Sequence, residues 1–192
     1  PFFAPFVLQK LHISAFFMIV VFTMETVGIV VASRFWGLLC DTYGQRPILQ
    51  MGVFGKAVIT LSLFLVPPIP AIAVPLLAIA FFLNGLLTAS TMLGMQGILL
   101  KYSPRENRST YIGVANFISG STAAIVSLLA GYLLKKMDAV PGIQIGIFVF
   151  GGYHLVFALS TFLRLSTYYM AGRLYEPTNI SVREILSHLK AT

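Results

Sequence analysis

Apolar residues run along this chain in long unbroken stretches, separated by short gaps that collect the charges and many of the prolines and glycines. The first stretch extends from about Ile13 to Cys40 and the second from about Pro47 to Val66. The third covers about Ile72–Leu100, the fourth about Ser109–Leu134 and the fifth about Ile143–Ala171. Each holds roughly 20 residues or more, enough to cross a hydrocarbon core about 30 Å thick. None sustains the alternation of a strand, and a barrel strand needs only about 10 residues. In lipid every backbone polar group needs an internal partner, so stretches this long are predicted to be helical. No linker divides them. The pattern predicts an all-α integral membrane protein with five transmembrane helices in one bundle over residues 13–172.

Composition sharpens this picture. Apolar residues make up 57% of the chain and charged ones 10%, against roughly 25% charged in soluble domains. Too few polar residues remain to cover a water-facing surface. The net charge is +7, but the charges sit in gaps between apolar stretches. That favours topology and lipid headgroups over nucleic acid. A lone cysteine, Cys40, excludes an internal disulfide and a cysteine-based metal cluster. No group of residues has metal-ligand spacing, no phosphate-binding glycine loop is present, and no nucleophile–base pair stands out. The sequence therefore implies no enzyme activity, no metal and no cofactor.

The gaps differ in charge. With five spans, one side holds Arg34, Arg46, Lys101, Arg105, Arg108, Arg173, Arg183 and Lys190. The other holds Lys10, Lys135 and Lys136. Lys and Arg accumulate on the cytoplasmic side, so the tail at 173–192 is expected in the cytoplasm. There Ser181 and Glu184 read as a capping box before Val182, Ile185, Leu186 and Leu189. A short amphipathic helix on the membrane surface and a frayed polar terminus both fit. The chain opens at Pro1 without an initiator Met or a cleavage site, and is expected to be part of a longer protein.

The most informative gap joins the first two stretches, Arg34-Phe-Trp-Gly-Leu-Leu-Cys-Asp-Thr-Tyr-Gly-Gln-Arg-Pro-Ile-Leu49. Gly37 would let helices approach closely. Asp41 suits exposed N–H groups at a helix start. Gly44 supplies freedom for a tight turn, Arg46 offers a planar fork to a carboxylate, and Pro47 suits the first helical position. The spacing resembles the signature of the major facilitator superfamily, G-x-x-x-D-x-x-G-x-R/K, with Gln45 where a second basic residue is common. Pro104–Arg108 followed by Tyr111-Ile112-Gly113 is similar to a later loop of that family, and Arg173 with Glu176-Pro177 to the start of a tail.

The resemblance implies a secondary active transporter, a permease working by alternating access in the cytoplasmic (inner) membrane. This chain would be its C-terminal half: helices eight to twelve of a twelve-helix transporter, five of a six-helix half-bundle, with residues 1–12 the outer end of the preceding helix. Its partners would be membrane lipid, the N-terminal half and a small solute. A non-transporting sensor or assembly subunit on the same scaffold is the alternative. In the family the signature acts as a conformational latch, which makes Gly37, Asp41, Gly44 and Arg46 the latch, with Arg105, Glu106 and Arg108 as its partners. The competing reading is that these residues only shape a turn.

Polar residues inside the stretches are the remaining candidates. Glu25 lies about 18 Å up a helix from Gly37, and Lys56 about 14 Å into the next one. A mid-membrane charge costs about 2.5–3.5 kcal/mol on insertion scales. Glu25 is thus expected to form an ion pair with Lys56, to serve as a proton or substrate site, or to be protonated without a role. Asn84, Thr88 and Thr91 recur at helical spacing and form one polar stripe, with Gln96 beyond them. The resemblance puts this stripe on a cavity-lining helix, and interhelical hydrogen bonding competes with substrate contact there. Gly113, Asn116, Gly120 and Ala124 make a small-residue face expected to pack closely against another helix. His154 is expected to be a packed, hydrogen-bonded histidine, and Arg164 to snorkel toward the cytoplasmic end.

Overall fold

The computed structural model describes residues 14–63, 66, 69–137, 143–145, 148–150 and 152–174. Five helices run in chain order: α1 (Ala15–Tyr43), α2 (Gln45–Ser62), α3 (Pro70–Tyr102), α4 (Arg108–Met137) and α5 (Gly152–Ala171). A short antiparallel hairpin, β1 (Ile143–Ile145) and β2 (Phe148–Phe150), precedes α5. The outer helix end expected at 1–12 and the amphipathic helix expected in the tail lie outside the described residues.

Three segments are long and apolar enough on their own to cross a membrane: Ala15–Tyr43, Ala71–Tyr102 and Arg108–Lys136. The other two helices are 18 and 20 residues long, about 27 and 30 Å, and carry Lys56 and Arg164 in their interiors. The fold is the expected all-α, multi-pass membrane bundle. Large apolar side chains such as Phe16, Val30, Phe117 and Leu128 stand exposed on its outside, as lipid rather than water requires.

Two boundaries differ from expectation. The second stretch stops being helical at Ser62, short of Val66. The fifth is helical only from Gly152, and before it Ile143–Ile145 pairs antiparallel with Phe148–Phe150, Ile143 opposite Phe150. β-Branched and aromatic residues favour a pleated backbone, and the pairing satisfies their peptide groups without a helix. Hydropathy alone cannot separate these apolar residues from those of the helix that follows.

The turn between α1 and α2 is a single residue. Gly44 sits at φ 92° and ψ 170°, and its N–H bonds the Cys40 carbonyl at 3.0 Å. That backbone region is essentially restricted to glycine. Pro47 falls at the third helical position of α2, still within the first turn, where a missing N–H costs nothing.

The core is built around α3. Leu77 and Ala73 are fully buried with Val21 of α1 and with Val156 and Phe157 of α5. Nearer the Gly44 turn, Trp36 and Leu39 of α1 pack with Ile48 of α2 and Ala89 of α3. Trp36 also donates from Nε1 to the Leu86 carbonyl at 2.7 Å, tying α1 to α3. Leu49 and Val53 of α2 meet Ala171 of α5. By contrast, the most apolar window of α4 is 0% buried.

Candidate functional site

The site begins where α1 and α3 cross. Gly28 and Gly85 let the two backbones touch: a Cβ at Gly85 would overlap the carbonyl of Glu25, and one at Gly28 the carbonyl of Phe82. This approach sets Glu25 on α1 directly against the polar stripe of α3. Asn84 donates from Nδ2 to Glu25 Oε1 at 2.8 Å. Thr88 Oγ1 lies 3.4 Å from the same oxygen and 2.8 Å from the Asn84 carbonyl. A hydroxyl has one proton, so the shorter contact takes most of it and Thr88 holds Glu25 weakly. Thr91 turns back on its own helix and bonds the Thr88 carbonyl at 2.9 Å. Three of the four candidate residues, Glu25, Asn84 and Thr88, are therefore one cluster, and Thr91 stands outside it. Gln96 is exposed further along α3.

The direct Glu25–Lys56 ion pair is not made: among the described residues no salt bridge within 4.0 Å joins them. The Asn84 amide holds the carboxylate on α3 instead. Lys56, half-buried on α2, still interacts electrostatically with both Glu25 and Arg164. Arg164 does not behave as a snorkelling residue. It lines a cavity among the helices, and its Nε is buried with no hydrogen-bond partner. The residue lies about two turns from the end of α5 and contributes to the cavity wall. His154 is half-buried on α5.

At the Gly44 end the signature residues separate. Gly37 does not mediate a close approach: a Cβ there would meet nothing within 4 Å. Asp41 lies inside the last turn of α1, is exposed, and does not cap α2, whose N-terminus has no side-chain cap. Arg46 donates to the Gly172 carbonyl at the C-terminal end of α5. Gln50, one turn on, donates to the Tyr168 carbonyl at 3.3 Å. Together they fasten the start of α2 to the end of α5, where orphan carbonyls favour a cation. Arg105 and Glu106 lie on the exposed loop after α3, and Arg108 begins α4. Among the described residues no hydrogen bond or ion pair joins Asp41 to any of the three.

The small-residue face of α4 is open. A Cβ at Gly113 or Gly120 would meet nothing within 4 Å, and Asn116 and Ala124 are exposed. The close packing expected of these residues is found at Gly28 and Gly85, which the sequence did not single out. The available signal was the position of Gly85, directly after Asn84 in the polar stripe. Trp36, the lone tryptophan, was the other missed contact.

Aromatic and basic residues mark the two helix ends. Arg173 stacks 4.7 Å over the Tyr169 ring and donates to its hydroxyl, while Lys136 lies 5.2 Å over Tyr132 at the far end of α4. Such pairs suit the two membrane–water interfaces.

A family model of the Major Facilitator Superfamily matches residues 1–187. No curated protein and no solved structure matches the chain significantly.

Proposed function

The chain belongs to the Major Facilitator Superfamily of membrane transporters, and from that premise we propose that it is the C-terminal half of a secondary active transporter. It moves a small solute across the cytoplasmic membrane by rocking against an N-terminal half around a midplane site. The C-terminus faces the cytoplasm, and the chain carries out no catalysis.

The observation that carries this proposal is the Glu25–Asn84–Thr88 cluster. An ionisable group deep in a membrane is costly and marks a transport pathway unless it is neutralised. Here the carboxylate is held by neutral donors at one oxygen, Oε1. That arrangement suits a group that contacts a solute or couples its movement to a proton. Asn84 and Thr88 position it, and Thr91 extends the polar wall. The open face of α4 supports the N-terminal half as partner, with lipid against the remaining apolar surface. Gly37, Asp41, Gly44 and Arg46 form the latch: Gly44 and Arg46 fix α1, α2 and α5 to one another, and exposed Asp41 is available to residues of the opposite half as well as to Arg105, Glu106 and Arg108.

Proteoliposomes holding this chain with its N-terminal half are expected to accumulate a labelled solute only under an imposed ion gradient. Solute binding without flux would instead support a sensor or assembly subunit. Glu25→Gln should abolish gradient-driven accumulation while counterflow of the same solute persists. Accumulation at the wild-type level removes Glu25 from the coupling path. Asp41→Asn should sharply lower uptake with the protein still in the membrane, and unchanged uptake would sink the latch.

A further inference from the structure

A cavity of about 300 Å³ lies between α2, α3, α4 and α5. Most of its wall is apolar, from residues such as Leu63, Phe81, Ala130 and Val156, and Arg164 projects into it. The Arg164 Nε is buried and has no hydrogen-bond partner. A guanidinium in such a place leaves a strong donor unused, and buried polar groups are otherwise almost always satisfied.

Other polar groups stand around the cavity. Asn84 is part of its wall and is bonded on its other side to Glu25. Lys56 stands one turn before Thr60, another wall residue, and its carbonyl accepts the Thr60 hydroxyl. Two cations, Lys56 and Arg164, thus face one carboxylate, which Asn84 already holds.

We propose that this cavity binds an organic monocarboxylate with an apolar body, its carboxylate on the Arg164 guanidinium. The planar fork of Arg matches a carboxylate geometrically, and the apolar walls accept a hydrocarbon chain. A phospholipid headgroup fits less well. Arg164 lies about 10 Å along α5 from its end at Ala171, whereas a headgroup stays at the interface. The site shares Asn84 with the Glu25 cluster, but binding at Arg164 does not depend on transport.

Equilibrium binding of radiolabelled octanoate to the purified chain in phosphatidylcholine nanodiscs tests this. Saturable binding is expected, weakened tenfold or more by Arg164→Gln, weakened less by Arg164→Lys, which keeps the charge and loses the fork, and not displaced by octan-1-ol. No saturable binding, equal binding by Arg164→Gln, or equal displacement by octan-1-ol would overturn it. Displacement of octanoate by added phosphatidylglycerol would overturn it in favour of a lipid headgroup. If Arg164→Gln does not fold, Ala130→Phe on the loosely packed α4 decides. It fills the cavity with the arginine intact, so lost binding supports the site and unchanged binding refutes it. No flux is measured, so failure here leaves the transport proposal standing.

Discussion

The α1–α3 crossing and the face of α4 contain the same small residue types and do opposite things with them. At the crossing, Gly28 and Gly85 remove the two side chains that would keep the backbones apart. Glu25 then comes within reach of Asn84. On α4, Gly113 and Gly120 face open space, and the helix has no buried residue in its most apolar window. A small residue permits an approach without requiring one. What distinguishes the crossing is that a polar group of each helix needs the other. The face of α4 has room for a partner but holds none among the described residues.

The sharpest way to break the comparison is to put a side chain into the crossing. Gly85→Leu places a Cβ against the Glu25 backbone, which cannot swing aside as a flexible side chain would. Overpacking of a tight core costs about 1–3 kcal/mol and occasionally more, and a collision with backbone belongs at the upper end. The expected result is loss of the monodisperse peak in fluorescence-detected size exclusion. A variant that elutes and melts like wild type would show that the two helices do not meet at these glycines.

How far the sequence discloses this molecule follows from the same contrast. The helices were legible because lipid imposes one backbone solution on any long apolar stretch. The turn was legible because only glycine suits the backbone at Gly44. Glu25 was legible as a costly charge at the depth of Lys56, and Asn84, Thr88 and Thr91 as one polar stripe. Which partner each polar group chooses was not. Lys56 was as plausible a partner for Glu25 as Asn84, and the choice rests on which helix the glycines bring nearest. The hairpin at Ile143–Phe150 was hidden because its residues are as apolar as those of α5. The place of Arg164 depends on a cavity that four helices make together.

Smaller effects sharpen the contrast at the Gly44 end. Arg46→Ala removes a charged donor from the Gly172 carbonyl. Bonds to charged groups are worth about 1.5–3 kcal/mol, so faster amide exchange at the C-terminal turn of α5 is expected, and unaltered exchange would refute the fastening. Gly44→Ala forces an ordinary residue to φ 92° at a cost of about 1–3 kcal/mol, read as a lower melting temperature in detergent. Trp36→Phe keeps the ring and loses the bond to the Leu86 carbonyl. About 0.5–1.5 kcal/mol is expected, again well below the Gly85 substitution.

The smallest expected effect is the most discriminating. Gly120→Leu adds a side chain where a Cβ meets nothing within 4 Å, so the stability of this chain should change by no more than about 0.5 kcal/mol. A large loss on the chain alone would mean that α4 packs within this half after all. If the chain alone is unaffected, the same substitution can be carried into the transporter assembled with its N-terminal half. Lost uptake there, with the stability of this half unchanged, would locate the α4 face at the contact between the two halves. The glycines of α4 would then have the role that Gly28 and Gly85 have at the crossing, with the opposing backbone supplied by the other half.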